Sequence, residues 1–100
     1  NATLHAEIEI INQACKIRNS KYLDNTTLFI TLEPCVMCAA AISEVHINNI
    51  YFGAYDDKKG GIEGIMKVYN RNHYFVPDVY GGILEKECSL LLKNFFKIQR

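Results

Sequence analysis

The sequence predicts an α/β sandwich, and three observations carry that expectation. An amphipathic helical pattern lies near the start, a strand–helix–strand run fills the middle, and a last helix closes the chain. From Leu4 to about Arg18, apolar residues fall at Leu4, Ile8, Ile11 and Cys15, the four-three-four spacing of one helix face. Thr3 is the expected N-cap, its oxygen accepting a free backbone N–H of the first turn. Asn19-Ser20 and Asp24-Asn25 then mark a loop.

Thr26 to Leu32 is β-branched and aromatic, and reads as a strand buried on both faces. Pro34 opens a second helix, where its missing N–H costs nothing, and the helix runs to about Val45. Ile50 to Ala54 is the next strand, so the two strands should be parallel. Asp56 to Gly61 is a loop, Gly64 to about Tyr69 a short helix, and Val79-Tyr80 a brief extended segment. In the last helix, Ile83 to about Ile98, the expected buried stripe is Leu84, Cys88, Leu91 and Phe95. Tyr51 and Phe52 are expected in the core, and His46 at the surface.

One hundred residues make one domain, taken here as 1–100. With 11 basic and 11 acidic residues there is no global basic footprint for nucleic acid, although the second half is slightly basic and the first slightly acidic. No apolar run approaches the roughly 20 residues of a membrane span, and the start lacks a signal-peptide pattern. The expected location is the cytoplasm, with no membrane partner. Because the chain begins at Asn1 and its first element already carries chemistry, we expect an N-terminally truncated fragment.

That chemistry starts from Glu33-Pro34-Cys35-Val36-Met37-Cys38. Cys35 and Cys38 share one helical face in the first turn, where free N–H groups and the macrodipole should lower a thiol pKa. Taken alone, the pair fits a redox disulfide or a metal site about equally. A four-cysteine structural zinc site needs a second such pair, whereas Cys15 and Cys88 stand singly and read as core packing. His5-Ala6-Glu7 breaks the tie. One imidazole and two thiolates are three ligands, the count that leaves zinc an open fourth position. Residues two apart on a helix diverge by about 200°, so His5 and Glu7 can serve one centre only at a helix end. Two thiolates weaken the metal as a Lewis acid, so a neighbouring carboxylate, Glu7, must move the proton.

His-x-Glu followed by Pro-Cys-x-x-Cys is the signature of zinc-dependent nucleobase deaminases. The chain closely resembles the bacterial tRNA-specific adenosine deaminases, at His5 to Ile8, at Thr31 to Ala39, at Phe52-Gly53-Ala54 with Asp56 and Lys58, and in Gly82 to Cys88 with Phe95-Phe96. The resemblance implies a cytidine deaminase-like three-layer α/β/α sandwich with a mixed sheet, lacking the family's N-terminal helix and first two strands. It implies one zinc ion on His5, Cys35 and Cys38, Glu7 as proton shuttle, conversion of adenosine to inosine at the wobble base of tRNA, and a homodimer with the cysteine-bearing helix near its interface. Asp56, Lys58, His73 and Phe96 become candidate substrate contacts.

Departures from the family pattern bear on the substrate side. Asn1-Ala2-Thr3-Leu4 stands where the family has Asp-Pro-Thr-Ala, and Ala54-Tyr55-Asp56 lacks an expected arginine, for which Lys58 and Lys59 are the candidate replacements. A sheet without two strands should expose an edge and part of its core. Two rivals remain: a deaminase of a free base or nucleoside, and a non-catalytic zinc or RNA-binding domain, against which Glu7 speaks.

Overall fold

The computed structural model describes residues 5–63, 67–70 and 73–99, with side chains through residue 94. The order is α1 (Ala6–Arg18), β1 (Thr27–Leu32), α2 (Val36–Glu44), β2 (Asn49–Ala54), a 3-10 turn (Val68–Asn70), β3 (Asp78–Tyr80) and α3 (Glu85–Gln99). The strands form one sheet in the order β1-β2-β3. Both pairings are parallel, with Phe29 opposite Tyr51 and Tyr51 opposite Tyr80. A mixed sheet needs an antiparallel strand, and none is among the described residues.

Alternation along the strands sets the layers. Leu28, Ile30, Ile50, Phe52 and Val79 face one way and join Ile11 of α1 with Ala39 and Ile42 of α2 in a single core. Phe52 is fully buried, which contributes roughly 2–3 kcal/mol by removing its ring from water. The other face meets α3, where Gly53 lies directly against Cys88. Helices on both faces of a sheet make the α/β/α sandwich that the sequence implied.

Four local expectations need correction. First, β1 is not buried on both faces: Leu28 is buried but Phe29 is 72% exposed. The strand is an edge of the described sheet, and α3 does not cover that end of the outer face. Phe29, Tyr51 and Tyr80 instead stack on one another across all three strands, with centroids 5.1 and 4.7 Å apart. Second, the buried stripe of α3 is shifted. Leu84 has φ 50° and precedes the helix, which begins at Glu85. Leu84 and Leu91 are therefore exposed, and Cys88, Ser89 and Leu92 turn inward. Phe95 lies outside the described side chains.

Third, the segment 64–69 is not a helix where it is described: Val68–Asn70 is a single 3-10 turn, and residues 64–66 lie outside the described set. Fourth, both helix starts fall later than expected. His5 is the N-cap of α1 and Cys35 that of α2, so Pro34 sits one residue before the cap. Thr3 lies outside the described residues. The loop at Asn19-Ser20 is as expected: Asn19 takes a left-handed conformation, its N–H and that of Ser20 closing on the carbonyls of Lys16 and Cys15.

Candidate metal centre and its pocket

Two helix N-termini meet at one point. At the start of α1, His5 is extended, with φ −93° and ψ 128°, while its carbonyl accepts the Ile8 N–H at 3.0 Å. An N-cap residue lies outside the helical spiral, and this frees its imidazole from the direction that Glu7, inside the first turn, must follow. The divergence of residues two apart is thereby resolved. Cys35 repeats the arrangement on α2, with its carbonyl accepting the Ala39 N–H at 2.8 Å. Neither side chain caps its own helix. Each points across the gap instead.

The result is a cluster. His5 Nδ1 lies 3.5 Å from Cys35 Sγ, and the donor atoms of His5, Cys35 and Cys38 all lie within 4.8 Å of one another. All four cysteines are free thiols, so Cys35 and Cys38 are not joined. Zinc–sulfur and zinc–nitrogen bonds of about 2.3 and 2.0–2.1 Å at tetrahedral angles put a sulfur and a nitrogen about 3.5 Å apart. The observed separation matches, and a nitrogen–sulfur–sulfur donor set suits that ion.

The thiol pKa departs from the sequence expectation. Burial, then the charge of Glu7, then hydrogen bonding with Cys35 push the Cys38 thiol well above its ordinary range. The side chain is fully buried, and desolvation outweighs the helix dipole. A cation is what would turn this thiol into a thiolate, with release of a proton. The same interaction places the carboxylate of Glu7 beside Cys38.

The donors open into a cavity of about 420 Å³ whose lining includes His5, Glu7, Ile10, Phe29, Glu33, Cys35, Asp56 and Lys59. Asp56 lines this cavity, and its Oδ1 also accepts the backbone N–H groups of Lys58 and Lys59 at 3.2 and 3.0 Å. Lys58 is not in this lining. It borders a neighbouring cavity with Tyr55, Ser89 and Lys93, and Lys59 takes the place beside the donors. His73 is exposed and does not line the His5 cavity. The Phe96 side chain lies outside the described set. His46 is exposed as expected, stacked on Phe75 at 4.7 Å.

Glu33 is the residue that sequence reasoning passed over. It is 3% exposed, and its carboxylate accepts three backbone N–H groups of the loop after β2. Its neighbours in the motif were read for chemistry, and the only signal was an acidic residue placed at the end of a buried strand.

An α/β/α sandwich carrying one imidazole and two thiols at converging helix ends, with a carboxylate beside them, is an arrangement of the deaminase type whose donors could hold a metal ion. The family model described as MafB19-like deaminase matches residues 1–100. A tRNA-specific adenosine deaminase of Rickettsia felis is 44% identical over 97% of this chain and 68% of its own length. One of Bacillus subtilis is 37% identical over 93% of this chain and 58% of its own. A solved chain from structural studies of A-to-I editing by tRNA deaminases at the wobble position superposes with a TM-score of 0.82 at 42% identity, covering 85% of this chain and 62% of that one. The chain belongs to the MafB19-like deaminases and, within them, to the tRNA-specific adenosine deaminase family. It spans about two thirds of the length of the Rickettsia relative and somewhat less of the solved chain.

Proposed function

We infer that this chain carries out hydrolytic deamination of adenosine to inosine at the wobble position of tRNA, at a zinc site formed by His5, Cys35 and Cys38. The observation that carries the reading is the convergence of these three donors within 4.8 Å, with the Glu7 carboxylate beside Cys38. Zinc, when bound there, supplies Lewis acidity that makes a water nucleophilic near neutral pH. His5 and the two cysteines hold it from two separate helix ends, leaving the cavity side open. Adenosine and water give inosine and ammonia, so protons must travel from the water to the base. Glu7 takes the water's proton, passes it to the ring nitrogen, and then serves the departing amine at C6.

The base has to leave its stack to reach the donors, which costs least in an unpaired anticodon loop. Asp56 and Lys59, at the cavity rim, meet the incoming nucleotide. Lys58, on the adjoining surface, serves the phosphate backbone. Phe96 is assigned to the anticodon loop on the family resemblance, and His73 as an exposed ring able to meet phosphate or stack on a base. A homodimer through α2 belongs to the same reading, supported by the exposed Met37 next to the cluster. Location in the cytoplasm follows from the substrate. No described helix is long and apolar enough to cross a membrane.

The rival reading, a deaminase of free guanine or cytidine, shares the donors and differs in substrate. Incubating the zinc-loaded protein with tRNA and mapping inosine by sequencing separates them. Inosine at the wobble base is the expected result. Faster turnover of a free base or nucleoside than of an anticodon stem-loop would overturn the assignment.

A further inference from the structure

Glu33 holds a carboxylate in the interior between the donor cluster and the loop that follows β2. Its own N–H continues the sheet ladder, donating to the Ala54 carbonyl at 2.8 Å, so the backbone there is fixed. From that anchor, Oε1 accepts the Asp56 N–H at 3.1 Å, while Oε2 accepts the N–H groups of Ile62 and Glu63 at 3.1 and 2.7 Å. These N–H groups stand at the two ends of the segment 56–63, so one side chain holds both.

The loop is shaped for this grip. A Cβ on Gly60 would overlap the Glu33 carboxyl group and come within 2.5 Å of the Asp56 carbonyl oxygen. The Gly61 N–H donates to the Pro34 carbonyl at 2.8 Å, and Gly60 pairs with Cys35 in an isolated antiparallel bridge. Within the loop, Asp56 Oδ1 holds the N–H groups of Lys58 and Lys59. Hydrogen bonds from N–H groups to an ionised carboxylate are roughly twice as strong as neutral ones, and a buried carboxylate needs all of them.

We propose that Glu33 is a positioning residue for substrate recognition: by tying the start of the 56–63 loop to its end, it sets Asp56 and Lys59 at the rim of the donor cavity. It touches neither substrate nor metal in this scheme. The assignment rests on the deaminase reading above for its substrate, and on the hydrogen bonds alone for the clamp. His5 and Cys35 are the N-caps of α1 and α2 and Cys38 lies in the first turn of α2, and the loop meets this cluster through the backbone of Pro34 and Cys35.

The test is Glu33→Gln in the zinc-loaded protein. The amide keeps one acceptor oxygen and turns an NH₂ toward backbone N–H groups, so one end of the loop is released. Three readouts are expected to part company. Dissociation constant and KM for an anticodon stem-loop rise on the order of tenfold, the loss expected for one hydrogen bond to a charged group. The kcat stays within about threefold, and zinc content stays at the wild-type value. Amide hydrogen exchange speeds up at residues 56, 62 and 63 and not in the strands.

Glu33→Asp keeps the charge but shortens the side chain by one methylene, so it reaches one end of the loop at most, and it should reproduce the same split should Glu33→Gln fail to fold. A variant whose stem-loop affinity and loop exchange match wild type would overturn the proposal. So would parallel loss of zinc, kcat and global protection, which is the mark of a merely structural residue. Wild-type protein that leaves tRNA unbound and unchanged would sink the deaminase reading instead, and the exchange rates would still decide whether the clamp exists.

Discussion

His5 and Cys35 stand 30 positions apart in the chain, yet His5 Nδ1 lies 3.5 Å from Cys35 Sγ, each residue being the N-cap of its own helix. The separation is set by where two helices begin. Replacing His5 by Ala removes one of the three proposed ligands without touching the core. Residues that merely support a ligand cost about 10–100-fold in metal affinity when changed. His5→Ala should cost more than that, measured by competition with a chelator, while the far-ultraviolet circular dichroism of the zinc-free forms stays alike.

Glu7 is close to the donors without being one of them. Glu7→Gln keeps size and hydrogen bonding but cannot accept the water's proton. Inosine formation should fall by about 10²–10⁴-fold, with zinc content by metal analysis near that of wild type. Loss of zinc in step with activity would make Glu7 a ligand.

Gly53 brings the sheet directly against Cys88 of α3. An added Cβ would overlap the Cys88 side chain and lie 2.9 Å from the Thr31 carbonyl oxygen. Gly53→Ala should destabilise the fold by about 1–3 kcal/mol in denaturant titration, the usual cost of overpacking. Cys88→Ala in the same chain should recover part of that loss, because it removes the sulfur but not the backbone contact.

Tyr69 is buried, and its hydroxyl donates to the Ala39 carbonyl at 2.8 Å. Burial first, and then the charge of Cys38, raise its pKa above the ordinary 10.0. The fold therefore favours the protonated phenol. That contribution is fully present below about pH 10 and is lost as pH rises from there through the folded-state value. Tyr69→Phe should lower stability by about 1 kcal/mol at pH 8. Thermal melts above pH 10 should show the gap between the two proteins closing.

The sequence made the donors legible because their residue types are scarce and their chemistry is narrow. It also gave the helix–strand alternation, through periodicity. It failed where phase or coverage decided the outcome. Leu84 looks like the first rung of an apolar stripe, but its left-handed backbone sets the helix to start one residue later, and the stripe turns with it. Phe29 looks like a core residue, but it stands on an edge strand of the described sheet and is exposed. Glu33 was invisible for a different reason: its partners are backbone N–H groups, which have no letter in a sequence. Lys59 rather than Lys58 lines the cavity, a choice made by the loop backbone that neither letter announces.

X-ray absorption at the zinc edge of the purified protein tests the metal centre most directly. One zinc per chain is expected, with two sulfur neighbours at about 2.3 Å and lighter nitrogen or oxygen neighbours at about 2.0–2.1 Å. A shell of four sulfurs, or a zinc-free protein with Cys35 and Cys38 oxidised to a disulfide, would contradict the account.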